Sequence, residues 1–162
     1  MKKYSLLLLA PLLLCGSALA LRVPKGADLA ELVLPDGFVA RVELALTAES
    51  QAKGLMFRGE LARNGGMLFV FGGLEGRSFW MKNTFIDLDM VFLDGDLKVL
   101  RVFHRVPRSS PGQAESEVAR VSSPAACVLE LPAGAARAHR VKPGSKIKIS
   151  FPAAGRAGVP RY

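Results

Sequence analysis

The chain has 162 residues, half of them hydrophobic, with 22 Lys and Arg against 14 Asp and Glu and a formal charge of +8. That length suits one domain with a full core. On a chain that opens with an export signal, a moderate basic charge points away from nucleic acid and toward solubility, an anionic surface or an acidic ligand.

Residues 1–20 read MKKYSLLLLAPLLLCGSALA. Lys2 and Lys3 form a basic head, Leu6 to Leu14 an apolar run, and Ala18-Leu19-Ala20 supplies small residues for cleavage. This is the layout of a secretory signal peptide, and the apolar run is too short to span a bilayer, which takes about 20 residues. Lipid anchoring through Cys15 is the lesser alternative, because Leu14 is not the small residue such a signal wants. The expected location is periplasmic or secreted. Removing 20 of the 162 residues leaves 142, and losing two lysines lowers the charge from +8 to +6. Only Cys127 then remains, so no internal disulfide can form. It sits in the apolar run AACVLEL, where a free cysteine is read as a small buried hydrophobe and not as a nucleophile.

Residues 21–28 read as a flexible leader, 29–152 as the β domain and 153–162 as a flexible C-terminal tail. Pro35-Asp36-Gly37 is a turn between two apolar runs. From Phe38 to Leu46 apolar residues recur with period two, so the pair is an expected hairpin. Thr47 is a helix cap, Glu49 suits the first turn and Gly54 stops a helix of about two turns over Ala48 to Lys53. Met67 to Phe71 is a strand buried on both faces, and Gly72, Gly73 and Gly76 form the next turn. Residues 77–82 and 87–93 are strands, Asp94-Gly95 is a tight hairpin turn, and Leu97 to Val106 is a strand. The segment VPRSSPGQAESE is a surface loop. Ala126 to Leu131 is a strand, Ala133 to His139 a helical turn and Lys146 to Phe151 the closing strand. Short strands with Gly and Pro turns and one or two short helices predict an all-β single domain, a β-sandwich or jelly-roll-like barrel.

Five stretches carry a family likeness. They are Gln51 to Arg58 (QAKGLMFR), Gly65 to Phe71 (GGMLFVF), Ser78 to Thr84 (SFWMKNT), Leu88 to Asp94 (LDMVFLD) and Val128 to Gly134 (VLELPAG). In that order they resemble the DUF192 family, over about Leu32 to Ser150. The resemblance implies a compact, mainly β, jelly-roll-like sandwich, often exported in bacteria, and it implies no activity. Two positions depart from the pattern. Asp87 stands where the family usually has proline. Pro143-Gly144-Ser145 replaces a turn ending in Gly-Asp.

The candidate chemistry centres on Arg77 to Phe92. In an extended strand Ser78, Trp80, Lys82 and Thr84 share one face, and Phe79 and Met81 share the other with Asn83. Trp80 beside Lys82 is a platform for a sugar ring, an acidic ligand or a partner loop. The competing reading has Trp80 filling a secondary cluster while Lys82 reaches water. Asp87 and Asp89 fall on one face about 6.6–6.8 Å apart by strand rise, a separation that suits an inverting glycosidase. Substrate must lie between such carboxylates, which neighbours on one flat strand rarely allow. Asp89 is therefore read first as a buried acceptor, with Lys82, Asn83, Thr84 and Arg58 as donors, and an Arg58–Asp89 fork would join them in one network.

No His, Cys or carboxylate spacing matches a metal site, and Met56, Met67 and Met81 near Trp80 are core fillers before they are ligands to cuprous copper. No cofactor is expected. The leading reading is a non-enzymatic exported module that binds a small polar ligand, an envelope glycan or a protein partner through Arg58, Trp80, Lys82, Asn83, Thr84 and Asp89. The alternatives are a polar cluster that only locks the fold, and a hydrolase or lyase with Asp89 as acid/base.

Overall fold

The computed structural model describes residues 21–152. The expected export signal and C-terminal tail lie outside the described residues. Seven strands form one mixed sheet, with two short helices. They are β1 (Leu29–Val33), β2 (Val39–Ala45), β3 (Gly65–Trp80), β4 (Leu88–Leu93), β5 (Val99–Val106), β6 (Arg120–Pro132) and β7 (Lys148–Ser150). The helices are α1 (Ala48–Lys53) and α2 (Ala135–Ala138). The order across the sheet is β5-β4-β6-β3-β2-β1-β7. The sheet curls until its two edges touch at the Lys98–Lys146 bridge, with Ile147 N–H donating to the Leu97 carbonyl at 3.0 Å, but it does not close into a barrel.

Period two decides which side chains go where. On β4, Val91 and Leu93 join one apolar cluster while Met90 and Phe92 join the other. On β6, Cys127, Leu129 and Leu131 share the first cluster and Val128 the second. The first fills the hollow of the curled sheet with Leu32, Val42 and Leu68. The second lies on the outer face with Leu55, Phe69 and Met81. Two-sided burial explains why β4 is buried at all six positions and reads as a continuous apolar run.

Local chemistry sets the elements. The β1–β2 hairpin turns at Pro35–Gly37, with Gly37 N–H donating to the Leu34 carbonyl. Thr47 caps α1: its Oγ1 accepts from Ser50 N–H at 3.1 Å, and Ser50 Oγ accepts from Thr47 N–H at 3.0 Å. This reciprocal cap offsets the weak intrinsic stability of so short a helix. Gln51 Nε2 donates to the Ala45 and Val70 carbonyls and ties α1 to the sheet. The connection through α1 lets β2 and β3 pair in parallel.

Two expectations are corrected. The glycines after Phe71 do not end a strand. β3 runs on to Trp80 through a bulge, with Val70 opposite Cys127 and Glu75 opposite Ala125, so five steps on β3 face two on β6. The ladder beyond the bulge recruits Arg120 to Ala125, a stretch too polar to read as strand from its pattern alone. The β4–β5 turn is wider than a two-residue hairpin. Asp94 Oδ1 accepts from the N–H groups of Asp96 and Lys98, and Leu97 holds φ at 59°. Residues 21–28 are irregular, yet Leu21 packs on the inner cluster.

Candidate functional site

A cavity of about 460 Å³ opens on the outer face of the sheet, beneath α1. Its roof is Gln51 to Met56, from α1 and the turn after it. Its floor and walls are Phe69, Phe71 and Gly76 to Trp80 of β3, Thr84 from the turn before β4, and Glu130 of β6.

Glu130 is a carboxylate in a position that alternation assigns to an apolar side chain. It shares its face with Val128, lies opposite Met67 and Met90 on the flanking strands, and is 5 % exposed. Among the described residues no hydrogen-bond partner reaches its Oε2. Burial pushes its carboxyl up to about 8, because no donor or cation offsets the lost hydration. Gly66 lets the backbones close around it: a Cβ there would stand 2.5 Å from the Glu130 carbonyl oxygen.

Trp80 and Arg77 supply two more buried, unpartnered polar atoms, the indole Nε1 and the guanidinium Nε. Arg77 spans the β3 bulge. Its Nη2 donates to the Gly73 carbonyl at 3.3 Å and meets Glu75 at 3.0 Å, while its guanidinium lies 4.3 Å from the centre of the Phe71 ring. Arg120 and Lys82 stand 4.0 and 4.7 Å from the centre of the Trp80 indole. Phe79 packs edge-on against Phe69 and Phe71, with ring centres 4.8 and 6.3 Å apart, and makes one wall stiff.

The residues expected to form one polar cluster divide among several places. Trp80 and Thr84 line the cavity; Arg58, Lys82, Asn83 and Asp89 do not. β3 ends at Trp80, so strand alternation does not carry through Lys82 and Thr84. Lys82 nevertheless returns to the Trp80 ring and pairs with Glu115, whose carboxyl is held below its ordinary range by the lysine's hydrogen bond and charge. Asn83 sits at φ 54° and its carbonyl accepts from Phe57 N–H at 2.7 Å. Buried Thr84 donates its hydroxyl to the Lys82 carbonyl, and its own carbonyl accepts from Ser109.

Arg58 does not fork onto Asp89. It grips Glu43 through both nitrogens at 2.5 and 2.7 Å, and that bond raises the arginine further above its ordinary range. Asp89 faces the inner side of the sheet and is fully buried. Its Oδ1 accepts from Arg105 N–H at 2.8 Å, and its Oδ2 from the N–H groups of Gly134 and Ala136 at 2.9 and 2.8 Å. The donors are backbone groups, not the side chains expected. The fully buried carboxylate ties β5 to the start of α2, and the imidazole of half-exposed His104 stands 3.9 Å from its Oδ2. Gly134 adopts φ 92° there, beneath the Arg105 guanidinium. Asp87 is exposed and accepts from Arg108 N–H at 2.9 Å, a bond that a proline at its position would lack. Among the described residues no group of three or more His, Cys, Asp or Glu could hold a metal ion.

Arg77 and Glu130 were not singled out by sequence reasoning. The signal for Glu130 was present: one carboxylate inside AACVLEL, a run buried on both faces, must find a donor, carry its proton or face a polar cavity.

Fold and site together define a small, mainly β protein with a two-faced mixed sheet and a partly aromatic cavity under a capped helix. The chain belongs to the DUF192 family, described as "Uncharacterized ACR", whose model matches residues 33–149. It is similar to a Sinorhizobium meliloti protein described as a "putative transcription regulator", at 33% identity and a TM-score of 0.64, covering 78% of this chain and 96% of that one. It is also similar to a Novosphingobium aromaticivorans protein of unknown function, at 33% identity and a TM-score of 0.62, covering 74% of this chain and 83% of the other. No curated protein matches the sequence.

Proposed function

We propose that the protein is a non-enzymatic exported module that binds a small polar ligand in the cavity beneath α1. One observation carries this reading. Three buried side-chain polar atoms lack a partner among the described residues, Arg77 Nε, Trp80 Nε1 and Glu130 Oε2, and all three residues line the same cavity. An orphaned buried polar atom costs about 1–3 kcal/mol, so three around one space are an arrangement that an occupant would relieve. Aromatic walls with a few convergent polar groups are the usual make-up of small-molecule sites. A half-open cavity of about 460 Å³ is of a size for a small molecule. Export rests on the Lys2-Lys3 head, the Leu6 to Leu14 run and the small residues before position 21.

The hydrolase reading draws less support than binding, because Asp89 is fully buried and both of its oxygens accept backbone hydrogen bonds. A DNA-binding role, suggested by the Sinorhizobium protein's description, lacks a recognition helix among the described residues: α1 has six residues and α2 four.

Trp80 is the sole tryptophan, so the purified protein reports on its own cavity. In a library of small envelope metabolites, the reading expects a hit that shifts Trp80 fluorescence and the single indole N–H resonance. Arg77→Ala should weaken that hit at least about tenfold, the effect of losing one good hydrogen bond to a charged donor. A silent library, with the protein verified as folded, overturns it.

A further inference from the structure

We propose that the cavity takes a monocarboxylate carried on a small apolar or aromatic body, with the ligand's carboxylate set among Trp80, Arg77 and Glu130. This rests on the cavity being the binding site and adds the chemistry of its occupant.

The polar inventory selects the ligand. The Trp80 indole N–H and the Arg77 Nε–H can only donate, and neither has an acceptor among the described residues. Both residues line the cavity, so a ligand that reaches these groups must bring acceptor oxygens. Glu130 is the third member. With its carboxyl pushed up to about 8 by burial, it holds its proton at neutral pH and adds an O–H donor. Three donors suit the two oxygens and several lone pairs of a carboxylate.

An ammonium group meets the opposite of what it needs. It brings only donors to a site where Trp80 and Arg77 can only donate and Glu130 alone can accept, and it must sit near Arg77 and Lys53, the cationic groups of the lining. A hydrocarbon leaves all three polar groups unpaired. The rest of the molecule faces Leu55, Phe69, Phe71 and Phe79, which ask for an apolar body. Asp89 is the nearest carboxylate along the neighbouring β4 strand, but it lies on the other face of the sheet and its oxygens are taken. The charged groups facing the cavity are thus Lys53 from α1, Arg77 from β3 and Glu130 from β6.

The test compares phenylacetate, phenylacetamide and phenethylamine by calorimetry and by the indole N–H resonance of Trp80, at pH 6.5 and pH 9. The expected result is that phenylacetate binds best at pH 6.5 and moves the indole resonance. At pH 9 its affinity should fall about tenfold, since one pH unit beyond the titration leaves about a tenth of Glu130 protonated. Glu130→Gln, which keeps a neutral donor at both pH values and leaves Lys53 and Arg77 in place, should bind equally at both. Preference for the amide or the amine overturns the carboxylate and leaves the cavity standing as a binding site. Phenylacetate binding that ignores pH in the unmodified protein overturns the part given to Glu130. An indole resonance unmoved by all three probes overturns this ligand class, while the wider library tests the cavity separately.

Discussion

Asp89 and Glu130 lie one register step apart on paired strands, Asp89 opposite Leu131 and Glu130 opposite Met90, yet they point to opposite faces of the sheet. Both carboxylates are buried. Asp89 accepts three backbone N–H bonds, and Glu130 Oε2 accepts none among the described residues. One is a fastening, and the other is an unsatisfied wall of a cavity. The difference comes from what crosses each face: the turn into α2 brings N–H groups to Asp89, whereas α1 stands off Glu130 and leaves a space.

Asp89→Asn should destabilise the fold without touching the cavity. The amide would turn a donor toward N–H groups that need acceptors, and losing charge-assisted bonds to a buried acceptor costs about 1.5–3 kcal/mol each. A loss of a few kcal/mol in urea unfolding, with Trp80 fluorescence of the native state unchanged, is the expected outcome. An unchanged midpoint would mean that the bonds to Arg105, Gly134 and Ala136 are not what holds α2 to the sheet.

Glu130 should make the protein less stable as pH rises. Its folded carboxyl titrates near 8 against an ordinary value of 4.5. Between those values the unfolded chain has released the proton and the folded chain still holds it. The unfolded state binds fewer protons, so stability is greatest below about 4.5, falls through this window and levels above about 8. One pH unit of such a difference corresponds to about 1.4 kcal/mol, so the fall from pH 5 to pH 7.5 should reach a few kcal/mol. Glu130→Gln should flatten this part of the stability–pH curve, as read from chemical denaturation at several pH values. A curve that Glu130→Gln does not alter would show that the carboxyl is hydrated in the folded state.

Cys127 should resist thiol reagents until the protein unfolds. It is 1 % exposed, and burial pushes its thiol up to about 11, with the nearby Asp94 charge adding to the shift. The thiolate is the reacting form, so at pH 8 both access and ionisation oppose modification. Reaction with a chromogenic disulfide should be slow in buffer and complete in denaturant. Fast labelling of the native state would place Cys127 at an opening that the sheet does not show.

Where an element depends on neighbours along the chain, the sequence announced it. The capped helix over Ala48 to Lys53, the turn at Pro35–Gly37, the apolar run of β4 and a mainly β class all follow from capping chemistry, turn residues and period-two patterning, interactions within about one turn or one strand. The family motifs were legible too, and the family model spans residues 33–149.

Pairing between distant segments was decided only by the folded chain. β3 resumes at Glu75 after the bulge that holds Gly72 and Gly73, and runs on through Gly76 because Arg120 to Ala125 lies beside it and supplies the hydrogen bonds that such a stretch cannot make alone. Arg58 turns to Glu43 because parallel pairing of β2 and β3 brings Glu43 near the turn after α1. Asp89 finds its donors 16, 45 and 47 residues away. Glu130 becomes a cavity wall because its strand face meets α1 and the aromatic side chains of β3. Hydrogen-bond partners and empty space belong to three-dimensional packing, and one-dimensional spacing carries neither.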